Sequence, residues 1–155
     1  MEWTALVATV VGAVIGVGST LATDRIRWRR DTGERDRETL RTVSAEFLDA
    51  LTQARDAISD ASRSGHLPVE ERAQLARAGI LDHGVHPKQY QLELLATPEV
   101  ARLAGDAAYR LLLYRDAVVA GHTRDDTECA HVRRAFREAR QKLMSAMRTA
   151  LMRPS

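Results

Sequence analysis

The chain has a single cysteine, Cys129, in 155 residues, and only 5% of its residues are aromatic. One cysteine excludes an intrachain disulfide framework of the kind that stabilises small exported domains. The scarcity of aromatic side chains argues against a surface that stacks the bases of single-stranded nucleic acid. No Gly-Lys-Ser or Gly-Lys-Thr sequence occurs, so the phosphate-binding loop built on that motif is excluded as well.

Charge is balanced over most of the chain. The formal net charge is +2, and residues 24–30 hold four arginines against one aspartate. Residues 31–155 then hold 19 basic and 19 acidic residues. A neutral domain has no electrostatic footprint for nucleic acid, so we expect no nucleic-acid partner.

The most prominent feature that is present is an apolar run near the N-terminus. Residues 3–23 are 21 consecutive residues without a charge. At ~1.5 Å of helix rise per residue they would extend roughly 30 Å, the thickness of a bilayer's hydrocarbon core. We interpret 3–23 as a transmembrane helix, with Trp3 and Trp28 at the two membrane interfaces.

An arginine cluster follows this run at once and predicts its orientation. Positive residues beside a span are retained in the cytoplasm, and the residues before Trp3 include none. We therefore expect the N-terminus outside and residues 24–155 in the cytosol. The same side chains are suited to contact anionic lipid headgroups. The cluster consists of Arg25, Arg27, Arg29 and Arg30.

A cleaved secretory signal is the main alternative to an anchor, because Thr20-Leu21-Ala22 has the small residues of a cleavage site. A signal peptide carries its positive charge before the apolar run, and here the order is reversed. The anchor is therefore favoured over a secreted helical protein.

Small residues recur every four positions within the apolar run, at Ala8, Gly12, Gly16 and Thr20. Residues with this spacing lie on one face of a helix and let two helices approach closely in lipid. The pattern predicts self-association through this face. The competing interpretation is that small residues are simply frequent in membrane helices.

The remainder of the chain has a helical pattern. Residues 24–38 are charged on every side, which is typical of a solvent-exposed helical stalk. Beyond them, apolar residues recur every three or four positions, which predicts amphipathic helices. The predicted helices are a short one at 68–78, with Leu75 and Ala76 as its apolar contacts and Gly79 as its end, and three long ones at 40–62, 98–120 and 125–151. Thr97, followed by Pro98, is expected to cap the 98–120 helix, and Thr123 is expected to cap the last one. The apolar stripe of the 98–120 helix consists of Val100, Leu103, Ala107, Leu111, Tyr114 and Val118, and that of the last helix consists of Cys129, Val132, Phe136, Ala139, Leu143, Ala146 and Ala150.

The predicted fold is therefore all-α: a transmembrane helix (3–23), a charged stalk (24–38) and a small antiparallel helical bundle (39–155). Because only Gly121–Thr123 joins the last two helices, they are expected to be antiparallel neighbours. The alternative is that the stripes are coiled-coil seams that pack against a second copy of the chain. Residues 80–96 are ambiguous. Gly84 and Pro87 there favour a loop, and the segment after them is consistent with either an extended strand or a short helix.

Asp82, His83 and His86 form the one close group of metal-type ligands. With Cys129 and His131 from the last predicted helix, they could be drawn as a zinc site. Their spacing matches no recognised zinc motif, so exposed loop histidines are the favoured interpretation, and we predict neither metal nor cofactor.

Two further groups have a structural explanation that competes with a functional one. Cys129 is expected to be a small buried hydrophobe, because His131 lies two residues away on a helix and points elsewhere. Met144, Met147 and Met152 could form an adaptable docking surface, although methionine at helical spacing more often belongs to a core.

The opening MEWTALVATVVGAVIGVGSTLATDRIRWRR combines a glycine-rich span with an Arg-Trp-Arg junction. It resembles the N-termini of small, single-span membrane proteins of actinobacteria, and Thr97-Pro98-Glu99-Val100 is similar to a later region of those proteins. The resemblance is strongest over residues 1–30. It implies a bacterial cytoplasmic membrane setting, and it implies no activity and no functional residues.

These patterns contain no convincing catalytic set, so we expect a membrane-anchored, non-catalytic helical interaction or scaffold module. A homo-oligomer and a protein partner of unknown identity are the expected assemblies. The alternative of a different class is a membrane-bound metal-dependent enzyme or sensor that uses Asp82, His83 and His86.

Overall fold

A computed structural model describes residues 34–152. The predicted span at 3–23, the Arg25–Arg30 cluster, the Trp3 and Trp28 belt and the Ala8–Thr20 face lie outside these residues. Within 34–152, no helix is both long and apolar enough to cross a membrane. The division at 24–38 and 39–155 stays a prediction.

The described residues are helical over 34–63, labelled α1, and in four further helices, without a strand. The predicted all-α class and helical bundle are therefore confirmed. Thr39–Pro154 form one compact unit, and the following description concerns its described residues, 39–152. The further helices are α2 (Val69–Asp82), α3 (Val85–Leu95), α4 (Pro98–Val119) and α5 (Thr127–Met152).

Helix α5 is antiparallel to both of the other long helices. The Arg124 N–H donates to the Ser62 carbonyl at the end of α1 (3.0 Å), and the Arg140 guanidinium donates to Thr52 Oγ1 further back along α1 (3.1 Å). The short connection after α4 reverses the chain, so α4 and α5 are also antiparallel. It follows that α1 and α4 run in the same direction, because both are antiparallel to α5.

The core is formed by the predicted stripes of the three long helices. All six apolar residues predicted for the α4 stripe are buried, as are Phe47, Leu51 and Ile58 of α1. In α5, Met147 is buried, whereas Ala146 and Ala150 are only partly buried against the core. The α4 residues are Val100, Leu103, Ala107, Leu111, Tyr114 and Val118.

Tyr114 brings a hydroxyl group into this core. The Ser62 hydroxyl donates to the Ser59 carbonyl at 2.7 Å, and Tyr114 Oη lies 3.3 Å from Ser62 Oγ. Since Ser62 has one hydroxyl proton and uses it on Ser59, Tyr114 is the donor in the second bond. The buried phenol is thereby satisfied, as buried polar groups require.

Helix α2 is longer than predicted, because Gly79 does not end it. A Cβ at Gly79 would lie 2.9 Å from Ala57 Cβ, so the glycine marks a close approach of α2 to α1. Leu75, expected to pack inward, is 47% exposed, and the inward contact is made by Ala76. Gly79 therefore allows two helices to pack closely. From sequence alone, such a glycine is not distinguishable from one that ends a helix.

Helix α3 occupies the segment whose conformation the sequence left open. Gly84 has a φ of +61° and directly precedes the helix, a left-handed conformation that glycine adopts without strain. Pro87 is the third helical residue, where a backbone N–H has no partner within the helix and its loss costs little. The two loop signals therefore belong to the start of a second short helix.

The end of α4 is closed by a Schellman motif. The His122 N–H donates to the Ala117 carbonyl and the Gly121 N–H donates to the Val118 carbonyl, both at 3.0 Å. Gly121 has a φ of +99°, as this motif requires. The buried Arg72 of α2 donates to the Gly121 carbonyl at 3.0 Å and to the His122 carbonyl at 3.4 Å. The positive charge of Arg72 thus stabilises the C-terminal end of α4, which is the negative end of its helix dipole.

Candidate functional surfaces

The predicted metal-type residues lie at the junction of α2 and α3. Asp82 is the last residue of α2, His83 follows in the turn, and His86 is the second residue of α3. Across residues 34–152, no group of three His, Cys, Asp or Glu side chains is placed to hold a metal ion. Cys129 and His131 belong to α5, which packs along α4 and not on α2 or α3.

Cys129 is a free thiol at the α4–α5 seam and is fully buried, as expected for a small core residue. Burial raises the pKa of the Cys129 thiol, and the charge of Arg133 opposes this rise only in part. A thiol with a raised pKa is a poor nucleophile at neutral pH.

The three methionines have different environments. Met147 is part of the core, Met144 is half-buried, and Met152 is 79% exposed at the end of α5. They do not form the continuous docking surface that their spacing allowed. Only Met152 is available to a partner.

Two grooves lie along the α4–α5 seam. One, of about 400 Å³, includes Asp116, His122, Glu128 and His131 among its lining residues. The other, of about 410 Å³, is lined by Arg102, Lys142, Ser145 and Thr149 among others. Each groove is lined by acidic, basic and apolar side chains together. Neither groove has a lining that favours one class of ligand.

Asp126 stabilises the turn between α4 and α5. Its carboxylate accepts hydrogen bonds from the backbone N–H and the hydroxyl of Thr123. These two bonds, followed by the charges of His122 and Arg72, lower the pKa of the Asp126 carboxyl below its usual value. Thr123 was expected to cap the last helix, and the structure shows it donating to Asp126 instead.

The outer face of α3 is the first surface that the sequence did not reveal. Val85 and Leu92 are buried on its inner side. On the opposite side, Pro87, Tyr90 and Leu94 are spaced by three and four residues and are exposed, Tyr90 to 61% and Leu94 to 84%. We call these three residues the α3 ridge. An apolar stripe facing solvent is a candidate contact for another helix.

The second surface is a row of arginines on α5, which we call the arginine flank. At 3.6 residues per turn these side chains fall within about 120° of the helix circumference, beside the buried stripe. None of them forms an ion pair, because every ion pair among the described residues joins other groups. The flank consists of Arg133, Arg134, Arg137, Arg140 and Arg148.

The charge balance of the domain conceals this flank. Helix α5 contains six basic and two acidic residues, whereas residues 34–126 contain 12 basic and 16 acidic residues. The two net charges cancel, so the overall charge of the domain is neutral. The prediction of no electrostatic footprint was based on this overall charge. A helical projection of residues 129–152 would have revealed from the sequence that the arginines lie on one side of this helix.

No family model, curated protein or solved structure matches this chain. The resemblance of residues 1–30 to actinobacterial single-span proteins therefore stays a prediction.

Proposed function

We propose that this protein is a membrane-anchored, non-catalytic helical scaffold whose copies associate through the α3 ridge as well as through the span. The anchor is the uncharged run 3–23 with its flanking arginines. Residues 24–155 lie in the cytosol under this proposal. The bundle supplies an all-helical body that presents the ridge.

The exposed α3 ridge is the observation that carries the proposal. Single exposed apolar residues are common on protein surfaces, but three on one face of an 11-residue helix form a stripe. Leu81, 75% exposed at the end of α2, adds an apolar side chain at the neighbouring helix end. Covering such a stripe removes apolar area from water and favours association.

A second copy is the occupant that the chain's own features favour. The three residues of the ridge carry no charge, so two ridges can meet in a two-fold contact without like charges opposing each other. Copies anchored in one membrane also meet at a high effective concentration. The Ala8, Gly12, Gly16 and Thr20 face supports the same arrangement within the lipid.

The experiment measures the oligomeric state of the full-length protein in detergent micelles by analytical ultracentrifugation. Leu94→Glu places a charge in the ridge and is expected to weaken association at least tenfold. Met152→Glu is the matched control, because it changes an equally exposed apolar residue on α5 and should leave association unchanged. Gly12→Leu with Gly16→Leu reports the contribution of the span separately.

A wild-type protein that stays monomeric, or a Leu94→Glu variant that associates like wild type, would overturn the ridge as a contact between copies. The anchor is tested by fractionation. The wild-type chain should remain with membranes after a high-salt wash, and release into the soluble fraction would contradict the anchor.

A further inference from the structure

The arginine flank extends along most of α5 as a line of positive charge. From Arg133 to Arg148 it covers 16 residues, or about 22 Å of helix between the first and last Cα atoms. Arg134, Arg137 and Arg148 are exposed, while Arg133 and Arg140 are half-buried. Over residues 129–152 the single acidic residue is Glu138, which projects beyond the edge of the flank.

Packing holds two of these arginines in place without neutralising them. Arg140 donates through Nη2 to the neutral hydroxyl of Thr52 at 3.1 Å. Arg140 Nε and Arg133 Nη1 are buried with no acceptor among the described residues. Their side chains are therefore partly ordered before any partner arrives, which lowers the entropy lost on binding.

The neighbouring helix does not supply the missing negative charge. Arg140 meets the neutral Thr52 hydroxyl of α1, and the Asp56 carboxylate of that helix pairs with its own neighbour Arg55 at 3.1 Å. A guanidinium that lacks a carboxylate is suited to accept an anion from outside the domain. The line of charge is too long for one small anion, so its shape fits an extended anionic surface.

We propose that the arginine flank binds the anionic headgroups of the membrane beside which the domain is anchored, an inference that relies on the anchor of the proposed function. Met152 favours this partner, because it is 79% exposed at the end of α5 on the edge of the flank. Arginines combined with an exposed apolar side chain suit the boundary between headgroups and acyl chains. Single-stranded nucleic acid would use aromatic side chains for stacking, and the flank has none.

The test places the full-length protein in nanodiscs of phosphatidylcholine with or without phosphatidylglycerol. A fluorophore on Met152→Cys reports contact with lipid through quenching by a headgroup-labelled lipid. The buried native thiol is expected to stay unlabelled. We expect quenching in the anionic discs, little in the neutral discs, and loss of quenching in high salt because the interaction is electrostatic.

Arg134→Gln combined with Arg137→Gln should reduce the quenching in anionic discs by on the order of tenfold. Arg77→Gln combined with Arg102→Gln is the matched control, since both are exposed arginines on other helices, and it should retain the wild-type signal. Circular dichroism verifies that each variant keeps its helical content.

The outcomes separate this inference from the proposed anchor. A protein that enters both kinds of disc but shows no quenching in the anionic ones keeps its anchor and loses the headgroup contact. A protein that enters neither disc, yet binds anionic vesicles in a flank-dependent manner, loses its anchor and keeps the contact. Flank-dependent binding of duplex DNA without lipid quenching would overturn the membrane as the partner.

Discussion

Helices α3 and α5 both pack on α4, yet their outer faces have opposite chemistry. In α5, Met152 is the one large apolar side chain that is exposed, and the flank beside the buried stripe is charged. In α3, Leu92 is buried, but Tyr90 and Leu94 on the opposite side face solvent. Helix α5 is therefore suited to water or to an anionic surface, and α3 is suited to another apolar surface.

This difference shows that packing and partner recognition are separable within one small bundle. Both helices contribute to the same core, because each places apolar residues against α4. The remaining surface is free to differ, since exposed positions contribute little to stability. Mutations can therefore test the inner and outer faces of these helices independently.

The largest effect is expected within α3 itself. Leu92→Ala removes a fully buried side chain and should lower the free energy of unfolding by about 2–5 kcal/mol. Leu94→Ala, two residues away on the ridge, should change it by no more than about 0.5 kcal/mol in the dissociated protein. Urea denaturation of the two variants measures both values. Equal losses would show that the ridge is part of the core and would remove the contrast with α5.

Two helical glycines, Gly79 in α2 and Gly105 in α4, extend the contrast between inner and outer helix faces. Gly79→Ala would bring a methyl group within 2.9 Å of Ala57 Cβ, and this overpacking should cost about 1–3 kcal/mol. At Gly105, the nearest atom to an added Cβ is Gln89 Nε2 at 3.8 Å, so Gly105→Ala should stabilise the fold by about 0.5–1 kcal/mol. Thermal unfolding followed by circular dichroism distinguishes these opposite signs. A stabilised Gly79→Ala variant would contradict the close approach of α1 and α2.

The smallest effect concerns the connection into α5 and depends on pH. Because the native hydrogen bonds lower the pKa of Asp126 below its usual value of 3.8, the unfolded chain binds the proton more readily. The stabilisation is thus present above pH 3.8 and is lost as the pH falls from there through the lower native pKa. Asp126→Asn should flatten the acid side of the stability curve, measured by urea denaturation across this range. Asp125→Asn is the control and should retain the wild-type dependence of the free energy of unfolding on pH. A flattened curve for this control would show that the effect is not specific to Asp126.

The periodicity of the sequence was sufficient for the long helices. The α4 stripe from Val100 to Val118 is buried as predicted, because a repeat of three and four residues matches the helical period. The start of α4 was also predicted correctly, since Thr97 Oγ1 accepts a hydrogen bond from the Val100 N–H and Pro98 follows as the first helical residue.

The short helices were less predictable for an identifiable physical reason. Glycine and proline have more than one structural use, and sequence does not reveal which use applies. Gly79 permits close packing inside a helix, and Gly84 and Pro87 begin one, although each was interpreted as an interruption. The alternation of Tyr90, Leu92 and Leu94 then resembled a strand, when it reflected one buried residue between two exposed ones.

Residue order along the chain thus accounts for the all-α class, the stripes of the long helices and the antiparallel pairing of α4 with α5. These features are local, since they follow from helical periodicity and from the length of one connection. Assembly in three dimensions was needed to reveal the α3 ridge and to show that the arginine flank has no acidic partner among the described residues. Whether a side chain is left without a partner depends on which helices cover it, and that depends on contacts between residues far apart in the chain.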